Sequence, residues 1–394
     1  MRTVIYILLL SLLSVVSVEA QDDTFSKVLE SIETNNTTLK AYREQATADK
    51  IGNKTGINMA NPEVEFGYLW GSPAGEGNRT DLNVTQSFDF PTAYRYKSQL
   101  AAGKNKQVDL TYNQQRREIM QQARALCVEL TYQTKLNEQL AQRLESAREL
   151  SDAYQKRFNQ GDIDILERNK TKLDLLNTEK LYQINMVEIN TLNAELQRLN
   201  GGEPLAYPFD NYPDYLFPLN FTEWFERVKE NNPSLRLAEQ EVELSKKQEQ
   251  LTRALNLPKI TAGYTSERIL GTTLQGFTVG VSIPLWEGKN TVKHQKAQTV
   301  ALQMQHADTK IQFQNVLKNQ YDKASKLSVL LNEYQETLKV TNNRDLLKKA
   351  LDKGQLSLIN YLLELSVYYE TIDRYYETER DYQLAVNELQ QWER

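Results

Sequence analysis

The stretch "RFNQGDIDILER", residues 157–168, places a glycine inside a helical pattern that resumes directly after it. A glycine in a helix interior costs about 1 kcal/mol relative to alanine, and no proline or polar loop surrounds Gly161. The stretch "ALDKGQLSLINY", residues 350–361, repeats the arrangement around Gly354. The two glycines predict turns at which a long helix ends in the left-handed conformation and reverses into a second helix. The alternative is a kink within one continuous helix.

The two glycines belong to two halves of a duplicated chain. The segment "TFSKVLESIETNNTTLKAYREQ", residues 24–45, aligns with "NFTEWFERVKENNPSLRLAEQE", residues 220–241, with the Asn-Asn pairs in register. Further on, Pro91 aligns with Pro284, and no insertion or deletion separates these prolines from the two glycines. Each half is therefore predicted to have one order: helix, strand, loop, strand, very long helix and shorter returning helix.

This repeat predicts the domain boundaries. We expect a first repeat over residues 21–200, an irregular linker over 201–219 and a second repeat over 220–394. The expected strands are at about 62–70, 80–90, 258–267 and 275–284, the long helices at about 93–160 and 286–353, and the returning helices at about 163–199 and 357–392.

The first twenty residues, "MRTVIYILLLSLLSVVSVEA", have the pattern of a secretory signal peptide. A basic residue is followed by an apolar run and then by Val18-Glu19-Ala20, a plausible cleavage site. The run is short for a membrane-spanning helix, which makes a retained anchor the weaker interpretation. We therefore expect the mature protein to be exported.

The four strand segments alternate apolar and polar residues. Their apolar residues include Val64, Phe66, Val84, Phe277, Val279 and Val281. One interpretation is two hairpins with one face on a soluble core. The other is a membrane β-barrel with these residues toward lipid and polar residues toward a lumen. Four strands cannot close a barrel, because small barrels need about eight, so a transmembrane sheet requires several copies of the chain.

The long helices predict an elongated coiled coil. Between Ile119 and Phe158, alternating steps of four and three residues give a heptad seam, interrupted by Gln133, Asn137 and Ser151. At 1.5 Å per residue, each long segment would extend roughly 100 Å. A single globular domain has no use for a helix of that length.

The chain offers few residues for catalysis or metal binding. Cys127 is the only cysteine, and His294 and His306 are the only histidines, without carboxylate or thiolate companions at ligand spacing. We find neither a nucleophile elbow nor a phosphate-binding loop. The sequence therefore predicts a protein that is not an enzyme, with no cofactor, no metal site and no nucleic-acid partner.

This arrangement resembles the TolC family of outer-membrane efflux proteins over nearly all of the mature chain. The resemblance implies a mixed α+β membrane protein, in which three chains give four strands each to a trimeric 12-stranded β-barrel on a long α-helical periplasmic barrel. It also implies the function: a passive outer-membrane channel of a tripartite efflux pump, opened by a periplasmic adaptor and driven by an inner-membrane pump of the RND type. The further partners implied are two other copies of the chain and outer-membrane lipid.

The resemblance also implies sites at the two glycine turns. The adaptor-docking tips would be Gln160, Gly161, Asp162 and Ile163 with Lys353, Gly354, Gln355, Leu356 and Ser357. Some family members close the periplasmic entrance with aspartates six and nine residues after the second glycine. Here those positions hold Asn360 and Leu363, and the first repeat holds Glu167 and Lys170. Any acidic selectivity would have to come from Glu167 or Glu364.

Two other functions fit the same pattern. One is the outer-membrane channel of a type I protein secretion system, which would share the fold and differ in its partner pump. The other is a soluble periplasmic coiled-coil adaptor or stalk, which would purify without detergent. The exported substrate does not follow from the residues.

Overall fold

The computed structural model describes residues 24–205, 208–230, 232–341 and 343–393, and the predicted signal peptide lies outside them. The first half contains α1 (Thr24–Asn35), α2 (Thr37–Gly52), β1 (Glu63–Leu69), β2 (Arg79–Phe88), α3 (Pro91–Gln160) and α4 (Ile165–Leu199), with a short 3-10 turn at Ala74–Glu76. The second half contains α5 (Phe221–Lys229), α6 (Pro233–Leu255), β3 (Lys259–Ile269), β4 (Thr272–Ser282), α7 (Thr291–Val340), α8 (Arg344–Asp352) and α9 (Leu358–Gln390).

Each half begins with two helices, where the sequence pattern suggested one. The aligned asparagines Asn36 and Asn232 cause the breaks, because each caps the second helix of its half. The side-chain oxygen of Asn36 accepts a hydrogen bond from the Leu39 amide at 2.8 Å. That of Asn232 accepts one from the Leu235 amide at 2.9 Å. Asparagine favours this position because its oxygen satisfies an amide that has no partner inside the helix.

The prediction of one continuous helix over 286–353 was wrong. That segment forms α7 and α8, which are separate helices, whereas α3 is continuous over the matching length. At the break, Thr341 and Asn343 stand where the first repeat has Arg148 and Leu150. Threonine and asparagine are weaker helix formers than arginine and leucine, since a β-branched chain loses rotamer freedom and an asparagine competes for backbone hydrogen bonds.

The strands form one antiparallel sheet in the order β1-β2-β3-β4. Val64 lies opposite Val84, Val84 opposite Tyr264, and Tyr264 opposite Phe277, so these four side chains form one row across the sheet. The sheet joins the two halves through the β2–β3 pair. Its outer strands are β1 and β4.

The helices pack along α3, which contacts α4, α6, α9 and the two N-terminal helices. The predicted heptad seam of α3 is largely buried, at Ala123, Leu130, Leu140, Leu144, Ala147, Ser151 and Tyr154. Each half also has its own apolar core. Phe25 and Ile32 of α1 pack with Cys127 of α3. Trp224 of α5 packs with Leu317 of α7.

Two of the polar residues that interrupt the seam, Gln133 and Asn137, have a partner on the returning helix. Asn185 of α4 is only 4% exposed and donates to the side-chain oxygen of Gln133 at 2.6 Å. Asn137 donates to the side-chain oxygen of Asn185 at 2.7 Å. A buried polar group in a coiled coil favours the single register in which its hydrogen bonds are made. In the described ranges, the structure has no helix long and apolar enough to cross a membrane.

Candidate functional site

One face of the sheet carries apolar side chains that are open to the surroundings of the chain. The register puts Val279 in a row with Gln86 and Ala262, and Val281 in a row with Phe88 and Ile260. Phe277 is 90% exposed and Val279 is 78% exposed. Val64 and Phe66 on β1 are exposed as well. A contiguous exposed apolar patch of this kind marks a surface that is covered in the functional state.

The opposite face of the sheet is polar. Glu63 lies in a row with Thr85, Gly263 and Thr278, and Glu65 lies in a row with Asn83, Thr265 and Gly276. The Arg79 guanidinium lies 2.8 Å from the Asp81 carboxylate and 3.3 Å from that of Glu267. Carboxylates outnumber cationic groups on this face, so it presents a hydrated surface with negative charge.

The two glycine turns have the same backbone geometry, as the repeat predicted. Gly161 has φ of 83°, and Gly354 has φ of 70°. The amide of the residue after each glycine donates back across the turn, Asp162 to the Arg157 carbonyl at 3.0 Å and Gln355 to the Ala350 carbonyl at 2.9 Å. This is the hydrogen-bond pattern of a helix that ends on a left-handed residue. Each long segment therefore reverses at its glycine, and the alternative of a kinked continuous helix is excluded at these two positions.

Matched caps begin the returning helices. The Asp164 side chain accepts from the Glu167 amide at 2.9 Å and starts α4. The Ser357 hydroxyl accepts from the Asn360 amide at 3.3 Å and starts α9. These caps fix the direction in which each returning helix leaves its turn.

The predicted tip residues lie at these two turns and are mostly exposed. Exposed are Gln160, Gly161, Asp162, Lys353, Gly354, Gln355 and Ser357, whereas Ile163 and Leu356 are partly buried. A Cβ atom added to either glycine would have no neighbouring atom within 4 Å among the described residues. Only the positive φ therefore restricts which residue can stand there.

The gate candidates lie on the first turns of α4 and α9. Glu167 is partly buried, and Lys170, Asn360 and Glu364 are exposed. Leu363 is 61% exposed. Ile359, four residues before it, and Val367, four residues after it, are exposed as well. Leu363, one of the predicted gate positions, thus belongs to an apolar stripe on α9.

A contact between the two repeats joins α3 and α9. Arg143 of α3 is 7% exposed and makes a two-point ion pair with Asp373 of α9. Its guanidinium also lies over the ring of Tyr369, 4.3 Å from the centroid. The sequence pattern did not predict this contact, since the partners are far apart in the chain and no short motif contains them. In the described part of the chain, no cluster of three or more histidine, cysteine, aspartate or glutamate side chains could hold a metal ion.

Solved outer-membrane channels share this architecture. The outer-membrane channel OprN aligns with 94% of this chain and 90% of its own, with a TM-score of 0.75 and 13% identity. The Campylobacter jejuni CmeC outer membrane channel aligns over 94% of this chain and 85% of its own, with a TM-score of 0.74 and 14% identity. The open state of the Neisseria gonorrhoeae MtrE outer membrane channel has a TM-score of 0.69 at 13% identity, covering 93% of this chain and 88% of its own.

Sequence comparisons alone do not reveal the relationship. No protein-family model matches the chain, and no curated protein matches it in sequence. The similarity is carried by the three-dimensional arrangement: long paired helices, two reversal turns and a four-stranded antiparallel sheet. The chain has the fold of the outer-membrane efflux channels.

Proposed function

We propose that the protein is a TolC-family outer-membrane channel that acts as the exit conduit of a tripartite efflux pump. The observation that carries this proposal is the sheet: four strands with an exposed apolar face, a polar face behind it and the outer strands β1 and β4. The helical body extends from this sheet. No catalytic step is part of the proposed function.

The proposed assembly is a homotrimer. Three copies supply twelve strands, enough for a barrel in which β4 of one copy pairs with β1 of the next. The apolar rows around Val64 and Phe277 then face lipid, and the rows of Glu63 and Glu65 face a water-filled lumen. Strands β2, β3 and β4 have ten or eleven residues, which suits a tilted transmembrane strand of about 9–11, and β1 is shorter at seven.

The helical body forms the periplasmic conduit in this proposal. Helices α4 and α7 both expose apolar side chains, including Leu173, Ile184 and Val187 on α4 and Met304 and Ile311 on α7. In a closed ring, these faces meet between neighbouring copies and lose their contact with water. Burial of apolar surface then drives the assembly of the helical barrel.

The two turns form the periplasmic tips in this proposal, and an adaptor docks on the residues around Gly161 and Gly354. The entrance is closed by the apolar stripe of Ile359, Leu363 and Val367 rather than by an acidic ring. Hydrophobic constrictions can gate a pore because water leaves them at a small radius. An inner-membrane pump of the RND type supplies the driving force.

Native mass spectrometry of the full chain in detergent tests the proposed trimer and should show three copies. Engineered disulfides test the barrel itself, and the single native cysteine, Cys127, is buried and will not interfere. A cysteine placed on β1 at Phe66, combined in turn with cysteines along β4, should cross-link neighbouring copies at one register only. The trimer should also conduct ions across a planar lipid bilayer.

Two results would contradict the proposal. A monodisperse monomer that is stable without detergent would support a soluble stalk or adaptor. Cross-links between β1 and β4 at every register would show that the strands do not close a barrel.

A further inference from the structure

Positive charge is concentrated where the two long helices leave the sheet. Residues 90–108, at the start of α3, contain four basic residues and no carboxylate. Residues 288–307, at the start of α7, contain three lysines and no carboxylate. Both helices follow strands, β2 and β4, that end at the same edge of the sheet. The chain as a whole has a formal net charge of −5, so this edge differs in charge from the rest of the molecule.

Arg95 of α3 lies on the side of its helix that continues the apolar face of the sheet. The opposite side of α3 is marked by Lys97, which pairs with Asp89 at 2.9 Å. Asp89 also lies 3.9 Å from Lys259, a residue on the polar face of β3. An α-helix turns by about 100° per residue, so Arg95 lies about 160° around α3 from Lys97.

Two lysines of α7 lie on the same side as Arg95. A groove along α6, between α3 and α7, is lined by Lys104 of α3 and Gln298 of α7. Lys104 is seven residues after Lys97 and shares its side of α3, so the groove opens on the polar side. Lys293 and Lys296 lie within about 40° of the direction opposite to Gln298 on α7.

These three cations have no counter-charge within the described residues. Arg95, Lys293 and Lys296 are exposed, and no hydrogen bond or ion pair of the described chain engages their side chains. By contrast, Arg253, near the end of the neighbouring helix α6, pairs with Glu249 at 2.6 Å. The three exposed cations are therefore available to an external anion.

An exposed apolar segment lies next to the lysines in the chain. Between β4 and α7, Ile283, Leu285 and Trp286 are exposed, the tryptophan by 81%. An amphipathic tryptophan ring suits the boundary between acyl chains and headgroups. Glu287 is the only carboxylate of residues 283–307. The order along the chain is thus apolar, aromatic and basic, which matches the order of layers from the inside of a leaflet outward.

We propose that Arg95, Lys293 and Lys296 form a basic collar that binds the headgroups of anionic phospholipids, in the leaflet on the helical side of the membrane. The inference rests on the proposed function, because it requires the apolar face of the sheet to lie in a bilayer. Lysine and arginine side chains near a membrane surface attract anionic headgroups. The collar lies within about 8 Å of the first residues of α3 and α7, and the interfacial layer of a leaflet is about 5–8 Å thick.

Native mass spectrometry of the full chain in detergent tests the collar by counting bound lipids. The probes are phosphatidylglycerol, which is anionic, and phosphatidylethanolamine, which is zwitterionic. We expect the wild type to bind phosphatidylglycerol about tenfold more tightly or better. Lys293→Gln combined with Lys296→Gln should remove most of this preference. Lys293→Arg combined with Lys296→Arg should keep it, because both charges remain.

The matched control is Lys323→Gln combined with Lys326→Gln. It removes two exposed lysines at the same spacing from the same helix, about 45 Å further from the sheet. This variant has the same net charge as the Lys293→Gln/Lys296→Gln variant and should bind both lipids as the wild type does. Equal losses in the two variants would show an effect of net charge alone and would overturn the collar.

The remaining outcomes separate this inference from the channel function. A wild-type trimer that conducts ions but binds both lipids equally overturns the collar and leaves the channel intact. Displacement of phosphatidylglycerol by soluble glycerol 3-phosphate would overturn a lipid as the occupant. Loss of the trimer in the Lys293→Gln/Lys296→Gln variant would place these lysines between neighbouring copies, which also overturns the collar.

Discussion

Arg143 of α3 and Asp373 of α9 form a two-point ion pair, with Nη1 3.0 Å from Oδ2 and Nη2 2.6 Å from Oδ1. The two residues belong to different repeats, so the pair connects the two helical hairpins. The arginine is almost fully buried and the aspartate is partly exposed. If the pair were broken, the arginine charge would stay buried without a counter-charge, whereas water could solvate the aspartate.

Removing the charge of Asp373 should weaken the contact between the two hairpins. Asp373→Asn leaves a buried guanidinium without its counter-charge, and we expect a loss of about 1–3 kcal/mol of stability, below the range for fully buried pairs because Asp373 is partly exposed. Thermal unfolding followed by circular dichroism measures this loss. Glu149→Gln is the control, because it breaks the exposed pair with Lys348 and should leave the melting midpoint unchanged. Equal shifts for both variants would contradict the assigned role of Asp373.

The polar cluster inside the first hairpin should be costly to disrupt. Asn185→Ala leaves the side chains of Gln133 and Asn137 without their partner, and we expect a loss of about 1–3 kcal/mol in the free energy of unfolding. Denaturant unfolding measures it. Asn193→Ala on the same helix removes an exposed side chain that bonds only to its own helix, and it should be nearly neutral. A neutral Asn185→Ala would show that water replaces these hydrogen bonds.

The sequence predicted the turns well because their cause is local. A left-handed glycine and a cap three residues later need only a short stretch of chain, and the repeat supplied the second instance. The break at Thr341 was missed because no glycine or proline marks it and the segment aligns without gaps with the continuous α3. The partners of Asn185 and Arg143 depend on which helices lie side by side. That information belongs to tertiary packing, and no short segment of the chain contains it.

A carboxylate close to the turns should make stability depend on pH. Asp174 of α4 lines a small cavity with Arg143, Tyr361 and Tyr369, and burial raises its pKa above the usual 3.8. The folded state therefore favours the protonated form, and its contribution to stability is lost as pH rises through the raised pKa. Asp174→Asn should melt higher than the wild type at about pH 7.5, with the difference shrinking toward about pH 4.

The control for this pH dependence is Asp152→Asn on α3, which removes an exposed carboxylate. As a substitution of an exposed side chain, it should change the melting midpoint at about pH 7.5 less than Asp174→Asn does. A difference between Asp174→Asn and the wild type that does not change with pH would show that Asp174 is solvated in the assembled protein.

The two faces of β4 should respond differently to a charge. Val279→Arg places a guanidinium on the apolar face and should cost roughly 2–4 kcal/mol if that residue lies near the bilayer midplane. Thr278→Arg puts the same group in the row of Glu63, on the polar face, and should be tolerated. The yield of folded trimer, measured by native electrophoresis after extraction from membranes, distinguishes the two. Equal losses would argue against a water-filled lumen behind the sheet.

Gly354 offers the sharpest test of the adaptor-docking tips. Its φ of 70° is strained for any residue with a Cβ, by roughly 1–2 kcal/mol, and a β-branched residue adopts it least readily. Because the space around its Cβ position is open within the described chain, Gly354→Val should loosen the turn without disturbing the core. Hydrogen exchange at the Gln355 amide, which donates to Ala350, should accelerate. Gly354→Ala should have a smaller effect.

The functional consequence follows from the position of the turn. The trimer should still assemble, since α7 and α8, roughly 90 Å of helix together, separate the sheet from the turn, but adaptor cross-linking and efflux should fall. Gly161→Val should act in the same direction, because both turns share one geometry. Ala350→Val, one turn earlier on α8, is the control and should retain transport. Full transport and adaptor contact in both glycine variants, despite faster exchange at the turn, would place the docking surface elsewhere on the helical body.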